Sequence, residues 1–149
     1  MTTSYATEAE GTAYLAERLN TSAWDDADSD DRVKALKQAT RAINNLNFKG
    51  KKTSSTQENQ FPRYDDSSVP DAIKWANIEE ALTLLDEKDP EIEWENLDIV
   101  TQVYATIKTT YNRRNLPRNI VAGIMSQTAW RYLSPYLHDG NELNLSRVN

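Results

Sequence analysis

The sequence predicts a mainly α-helical fold: a small bundle of about four helices with a long polar loop, room for a short β-hairpin or strand, and an extended C-terminal tail. Three observations lead there. Apolar residues recur at spacings of three and four along several stretches. Residues that start helices stand just ahead of those stretches. One stretch, Val69 to Asp86, is apolar over so wide an arc that it must be covered on two sides. Ile73, Ala81 and Leu84 fall on one face of it and Trp75, Ile78, Leu82 and Leu85 on an adjoining one. Glu79, Glu80, Thr83 and Asp86 remain as a narrow strip for water. Pro70 and Asp71 mark its start, the first by its fixed φ and missing N–H, the second by its charge against the helix dipole. Trp75 and Leu82 are the part of the arc expected nearest a subunit boundary.

The elements follow in order. Thr7-Glu8-Ala9-Glu10 is a capping-box pattern that opens a helix ending near Asn20. Leu15 and Leu19, with Thr12 and Ala16, form its buried stripe, and Glu8, Glu17 and Arg18 face water. Trp24 precedes an acidic run, Asp25, Asp26, Asp28, Asp30 and Asp31, in which Asp28 or Ser29 caps a second helix. Val33, Leu36, Ala39, Thr40, Ile43 and Leu46 give that helix one long seam. From Asn47 to Ser68 the periodicity stops; the segment is polar, carries Lys49, Lys51, Lys52 and Arg63, and is longer than most structureless connections in compact domains. Phe48 and Phe61 are expected to pin its two ends, with Phe61 extended ahead of Pro62. The 86–98 stretch is acidic and broken by Pro90. The pattern over 99–111 is divided between helix and strand, and its later part reads as a strand or hairpin. Asn115-Leu116-Pro117 opens a last helix with Ile120, Val121, Ile124, Met125, Thr128 and Leu133 on its stripe, running to Pro135, and Gly123 reads as a close approach of a neighbouring backbone. Leu143, Leu145 and Val148 alternate with polar residues, as in a strand that seeks an edge.

Composition bounds the function. At 149 residues the chain suits a single domain, 1–149, with a helical core over about 7–138 and a tail over about 139–149. No apolar run approaches the roughly 20 residues of a membrane span, and the polar start lacks a signal peptide's regions; the expectation is a soluble protein made in a cytoplasm, with no membrane partner. There is no cysteine and one histidine, His138, so thiolate sites and two-histidine metal sites are excluded and no metal or cofactor is expected. No phosphate loop, nucleophile elbow or calcium loop is present, and the aspartates of 25–31 are accounted for by capping. No catalytic residues are assigned and no enzymatic activity is expected. The net charge of −6 repels nucleic acid as a whole, so any DNA contact must come from a local patch. Lys49, Lys51 and Lys52 with Arg63, and the trio Arg113, Arg114 and Arg118, are the anion-facing candidates. A solvated loop and an inter-subunit salt-bridge surface are the competing explanations. The tryptophans Trp24, Trp75 and Trp130 lie in or beside helical stripes, where core packing competes with base stacking as their role.

The start YATEAEGTAYLAERL, the helix ALKQATRAINNLNFKGKKT, then Gln60-Phe61-Pro62-Arg63, VPDAIKWANIEEALTLL, Tyr111, Leu116-Pro117 and SPYL at 134–137 together resemble the head-to-tail connector proteins of tailed bacteriophages, a family also labelled DnaT-like single-stranded-DNA-binding. The resemblance implies a structural virion protein made in the host cytoplasm. It would be an adaptor ring, dodecameric in this family, joining the portal protein to the next neck or tail-completion protein, with DNA passing through its channel without sequence recognition. On that reading Leu143, Leu145, Arg147 and Val148 dock onto the portal, and Phe61, Arg63, Arg113, Arg114 and Arg118 face a neighbouring subunit or the next ring. The alternative is a DnaT-like module that binds single-stranded DNA through Lys49, Lys51, Lys52 and Arg63. Salt separates the two, since a DNA binder loses affinity steeply with ionic strength.

Overall fold

A computed structural model describes residues 3–88, 92, 99–103, 108–111 and 117–138. The fold is mainly helical: α1 (Glu8–Leu15), α2 (Ser22–Asp26), α3 (Ser29–Asn44), α4 (Asp71–Leu85), a two-stranded hairpin of β1 (Ile99–Val103) and β2 (Lys108–Tyr111), then α5 (Arg118–Val121), α6 (Gln127–Leu133) and a 3-10 turn over Ser134–Tyr136. The strands pair antiparallel, from Ile99 opposite Tyr111 to Val103 opposite Lys108, with an irregularity between Ile99 and Thr101. The tail residues Leu143, Leu145, Arg147 and Val148, together with Arg113 and Arg114, lie outside the described residues.

Both helix-start signals in the first part of the chain are realised. The Thr7 hydroxyl accepts from Glu10 N at 3.2 Å while the Glu10 carboxylate accepts from Thr7 N at 2.8 Å, so each satisfies an amide with no partner inside the helix. Asp28 caps α3 through Asp31 N at 2.8 Å. The α3 seam buries Leu36, Ala39, Thr40 and Ile43. The first helix is shorter than its pattern suggests. It stops at Leu15, the chain turns through Asn20 at a φ of 60°, and Leu19, expected in the stripe, is 84% exposed. Trp24 instead fills that place, 1% exposed on the separate helix α2, with its indole N–H on Thr12 Oγ1 at 3.3 Å.

Helix α4 packs against α3 and α6 and touches α1 and α2. Its two halves feed different clusters. Ile73 and Ala76 join Tyr5, Ile43, Phe48, Phe61, Ile124, Ala129 and Leu133, while Ile78, Ala81 and Leu82 join Ala6, Leu15, Trp24, Ala35, Leu36 and Ala39. Leu82 is thus a core residue, and Trp75 is the one of the expected pair that reaches solvent. Asn77 lies between the clusters, buried and fully used: its Nδ2 donates to Leu36 O and Thr40 Oγ1, both at 3.0 Å, and its Oδ1 accepts from Ala6 N at 3.2 Å. That contact ties the N-terminal segment onto α3 and α4.

Of the strip expected to face water, Asp86 is exposed and Thr83 half-buried, but the two glutamates turn inward. Glu79 is 1% exposed and Glu80 0%. Glu79 Oε1 accepts from Arg18 Nε at 2.8 Å and Tyr14 OH at 3.0 Å, so Arg18, expected in solvent, reaches back to a buried carboxylate. Glu80 accepts from Met125 N at 3.0 Å and Ser126 N at 2.8 Å. Those amides lie where the expected single last helix is broken in two. The break follows Gly123, whose φ of +82° belongs to the left-handed region, while the space around a Cβ there is empty. The glycine is therefore needed for its backbone conformation and not for a close approach.

Candidate functional site

The connection between α3 and α4 carries the basic residues, and it is built rather than slack. Its base is fastened to the end of the described chain: Phe48 and Leu137 form an antiparallel bridge, Lys49 N donates to Tyr136 O at 2.8 Å, and His138 N to Asn47 O at 3.2 Å. Its far side is held by Gln60 N, which donates to Tyr5 Oη at 3.0 Å and Asn44 Oδ1 at 3.1 Å, and by Asn59 Nδ2, which donates to Thr3 O at 2.7 Å. The Tyr5 hydroxyl also bonds Asn44 Oδ1, and burial pushes its pKa up to about 12, so it stays a neutral donor and acceptor. Between these anchors two short arms face each other. Lys52 and Arg63 form an antiparallel bridge, Tyr64 N donates to Lys51 O at 2.8 Å and Thr53 N to Pro62 O at 3.2 Å. The Phe61-Pro62 peptide is cis.

Arg63 is the hub of this arrangement. It is 7% exposed. Its Nε donates to Lys49 O at 2.9 Å, its Nη1 to Gln60 O at 3.2 Å and Gln60 Oε1 at 2.9 Å, and its Nη2 to Phe48 O at 3.2 Å and to Gly50 O. The guanidinium lies over Phe48 and Phe61, 5.9 Å from each ring centroid. A loop of this length has many backbone carbonyls to satisfy, and the planar fork of one arginine satisfies several at once. This corrects two expectations. Arg63 is not an anion-facing or interface cation, because its donors are spent inside the loop. Phe61 is not an interface residue, because at 3% exposure it packs edge-on against Phe48 (4.8 Å), Tyr136 (5.6 Å) and Tyr5 (6.2 Å).

With Arg63 inside, the loop turns other groups outward. Lys51 is exposed and Lys49 and Lys52 are half-buried, the last with its Nζ 3.5 Å from Gln57 O. Tyr64 is 59% exposed and sits at a φ of 58°, with its ring laid across Gly50. Gly50 has a φ of +77°, and a Cβ on it would come within 2.4 Å of the Tyr64 ring, so no other residue fits beneath that ring. Sequence reading missed Tyr64; the available signal was an aromatic beside Arg63 in a segment with no apolar periodicity. Asp65 and Asp66 follow at once and are exposed, so two negative charges stand next to Tyr64 in the chain. Arg118 is exposed at the first position of α5. Among the described residues no three His, Asp or Glu side chains are placed to hold a metal ion, and no helix is long and apolar enough to cross a membrane.

What the arrangement offers is a hydrogen-bonded frame on which an exposed tyrosine ring lies over Gly50, between Lys49 and Lys51 in the chain. Such a ring among cations suits a flexible polyanion with flat rings attached. A model of the family described as "Putative DnaT-like ssDNA binding protein" matches residues 2–148. Comparison with curated proteins and with solved structures gives no match. The family match overturns the expectation of a portal adaptor ring, since its description agrees with the alternative reading and not with the connector.

Proposed function

The chain belongs to the DnaT-like ssDNA-binding family, and on that premise we propose that it is a non-enzymatic module that binds single-stranded DNA through the loop between α3 and α4. The observation that supports this is the exposed Tyr64 ring held beside Lys49, Lys51 and Lys52 on a frame locked by Arg63. Phosphates are met by the ammonium groups, and a base lies on the tyrosine. Stacking of this kind tolerates any sequence, because every base has a π-face. A duplex hides those faces, so the single strand is preferred. The net charge of −6 gives little long-range attraction, and binding therefore rests on the local cations.

Anisotropy of a labelled oligonucleotide at low ionic strength tests this. The protein is expected to bind a single strand in preference to the matching duplex. Tyr64→Asn removes the ring while keeping a residue that tolerates the left-handed backbone, and it should weaken single-strand binding by about 1–3 kcal/mol. Equal affinity for strand and duplex, or a Y64N protein that binds as the parent does, would refute the assignment.

A further inference from the structure

Charge is unevenly distributed along the chain. Asp and Glu outnumber Lys and Arg by 23 to 17, yet from Arg32 to Gln57 there are seven Lys and Arg and no Asp or Glu. That stretch covers the basic arm of the loop and most of α3 ahead of it. Four of the cations stand on α3. The first two have acidic partners: Arg32 Nη1 lies 3.2 Å from Glu8 Oε1, and Lys34 Nζ lies 2.9 Å from Asp31 Oδ1. Arg18 and Lys74, elsewhere on the helical body, are paired in the same way with Glu79 and Glu10. Lys37 and Arg41 differ. Among the described residues neither forms an ion pair or a side-chain hydrogen bond. Arg41 is exposed and Lys37 half-buried. Four residues apart, they share one face of the helix. Gln38 and Asn45, one turn to either side of Arg41, are exposed and carry no charge.

This face leads into the loop by a continuous set of contacts. Asn44 stands one turn beyond Arg41, about 4.5 Å along the axis. Its Nδ2 donates to Asn59 Oδ1 at 2.9 Å and its Oδ1 accepts from Gln60 N at 3.1 Å. Gln57 Nε2 donates to Asn59 O at 2.9 Å, and Gln57 O lies 3.5 Å from Lys52 Nζ. Arg41 is thus joined to the ammonium group of Lys52 by one helical turn and two hydrogen-bonded loop residues. Lys37 lies a further turn back, about 6 Å along the axis.

We infer that the Lys37 and Arg41 face of α3 carries the DNA strand onward from the loop, its two cations meeting phosphates beyond those held by Lys49, Lys51 and Lys52. The inference rests on the single-strand reading above and extends its footprint from the loop onto the helix. The helix dipole favours Arg41 in the last turn, but it does not account for the lack of any carboxylate through Gln57. Like charges four residues apart destabilise a helix. A polyanion laid along this face removes that repulsion, and no protein group does so.

The test uses the full chain and oligothymidylates of graded length, with affinity measured against salt. In a Lys37→Ala, Arg41→Ala variant both new residues are good helix formers, and circular dichroism checks that α3 is kept. For strands long enough to pass the loop, the slope of log affinity against log salt should be shallower by about 1.4, at about 0.7 per phosphate. The shortest strands that the parent binds should bind this variant equally well. Lys37→Arg with Arg41→Lys keeps both charges and should give the parent's slope. Lys88→Ala removes an exposed charge at the far end of α4 and should also leave the slope unchanged. If long strands bind the alanine variant with the parent's slope, if the loss is equal at every length, or if Lys88→Ala changes the slope as much per charge, the track along α3 is wrong while loop binding stands. If the parent binds no strand of any length, the single-strand reading itself falls and the track with it.

Discussion

Replacing Glu80 with alanine is expected to destabilise the protein by about 3 kcal/mol or more. Glu80 is fully buried, and its two oxygens accept from the amides of Met125 and Ser126. Those amides lie in the break between α5 and α6, just where Ser126 caps α6 through Ala129 N at 3.1 Å. Alanine would leave two buried N–H groups without an acceptor, at about 1–3 kcal/mol each, and open a cavity besides. Chemical denaturation measures this directly. A loss below about 1 kcal/mol would mean that water or a rearranged turn satisfies the amides instead.

The same residue sets a pH dependence whose sign follows from its environment. Burial pushes the Glu80 carboxyl above the ordinary value of 4.5, against the opposing pull of the Met125 and Ser126 amides. The folded protein therefore holds this proton more tightly than the unfolded chain does. Its contribution is most favourable below the unfolded pKa and is lost as pH rises through the raised folded one. Glu80→Gln cannot ionise, so its stability relative to the parent should improve as pH rises through that window and level off above it. A stability difference that is flat with pH would contradict the raised carboxyl.

Arg63→Ala is expected to have the second large effect, about 3 kcal/mol in stability together with loss of strand binding. The guanidinium satisfies carbonyls of Phe48, Lys49, Gly50 and Gln60 and covers two aromatic rings, so its removal unties both arms of the loop. Bonds from a charged donor contribute about 1.5–3 kcal/mol each when the acceptors are otherwise left bare. Arg63→Lys keeps the charge but offers a point donor in place of a planar fork, and it should restore only a minor part of the loss. The useful contrast is with Lys51→Ala, which should weaken DNA binding and leave stability within about 0.5 kcal/mol. An Arg63→Lys protein as stable as the parent would show that charge, and not fork geometry, holds the loop.

What could be read from the sequence was what depends on neighbours in the chain. The Thr7 box, the Asp28 cap, the Leu36 to Ile43 seam and the two-sided burial of α4 are all set by spacings of three or four residues. Phe48 and Phe61 were legible as pins because large apolar residues in a polar segment must go somewhere dry. Glu79 and Glu80 were not legible. A periodicity argument places every carboxylate outward, and the partners that make burial tolerable, Arg18 and the Met125 and Ser126 amides, lie 61, 45 and 46 residues away. The break at Gly123 was hidden for the same reason, since the amides it frees are capped from α4. At the candidate site the lysines were visible as a cluster, but the roles inside it were not. Arg63 looks like one more surface cation until its backbone acceptors are known. Tyr64 has no pattern to betray it, because what makes it available is a left-handed backbone laid over Gly50. The connector reading failed differently: the residues that carry the resemblance are mostly those that build the helices, and they say little about what the loop between them holds.

The central claim is that the Lys49–Lys52 arm meets the phosphates of a single strand. The most direct measurement is the slope of log affinity against log salt concentration for an oligonucleotide, in the parent and in a Lys49→Ala, Lys51→Ala, Lys52→Ala variant. Each phosphate contact to a single strand adds about 0.7 to that slope. The parent's affinity is expected to fall steeply with salt, and the variant's slope to be shallower by about 2. A variant with the parent's slope and affinity would contradict it.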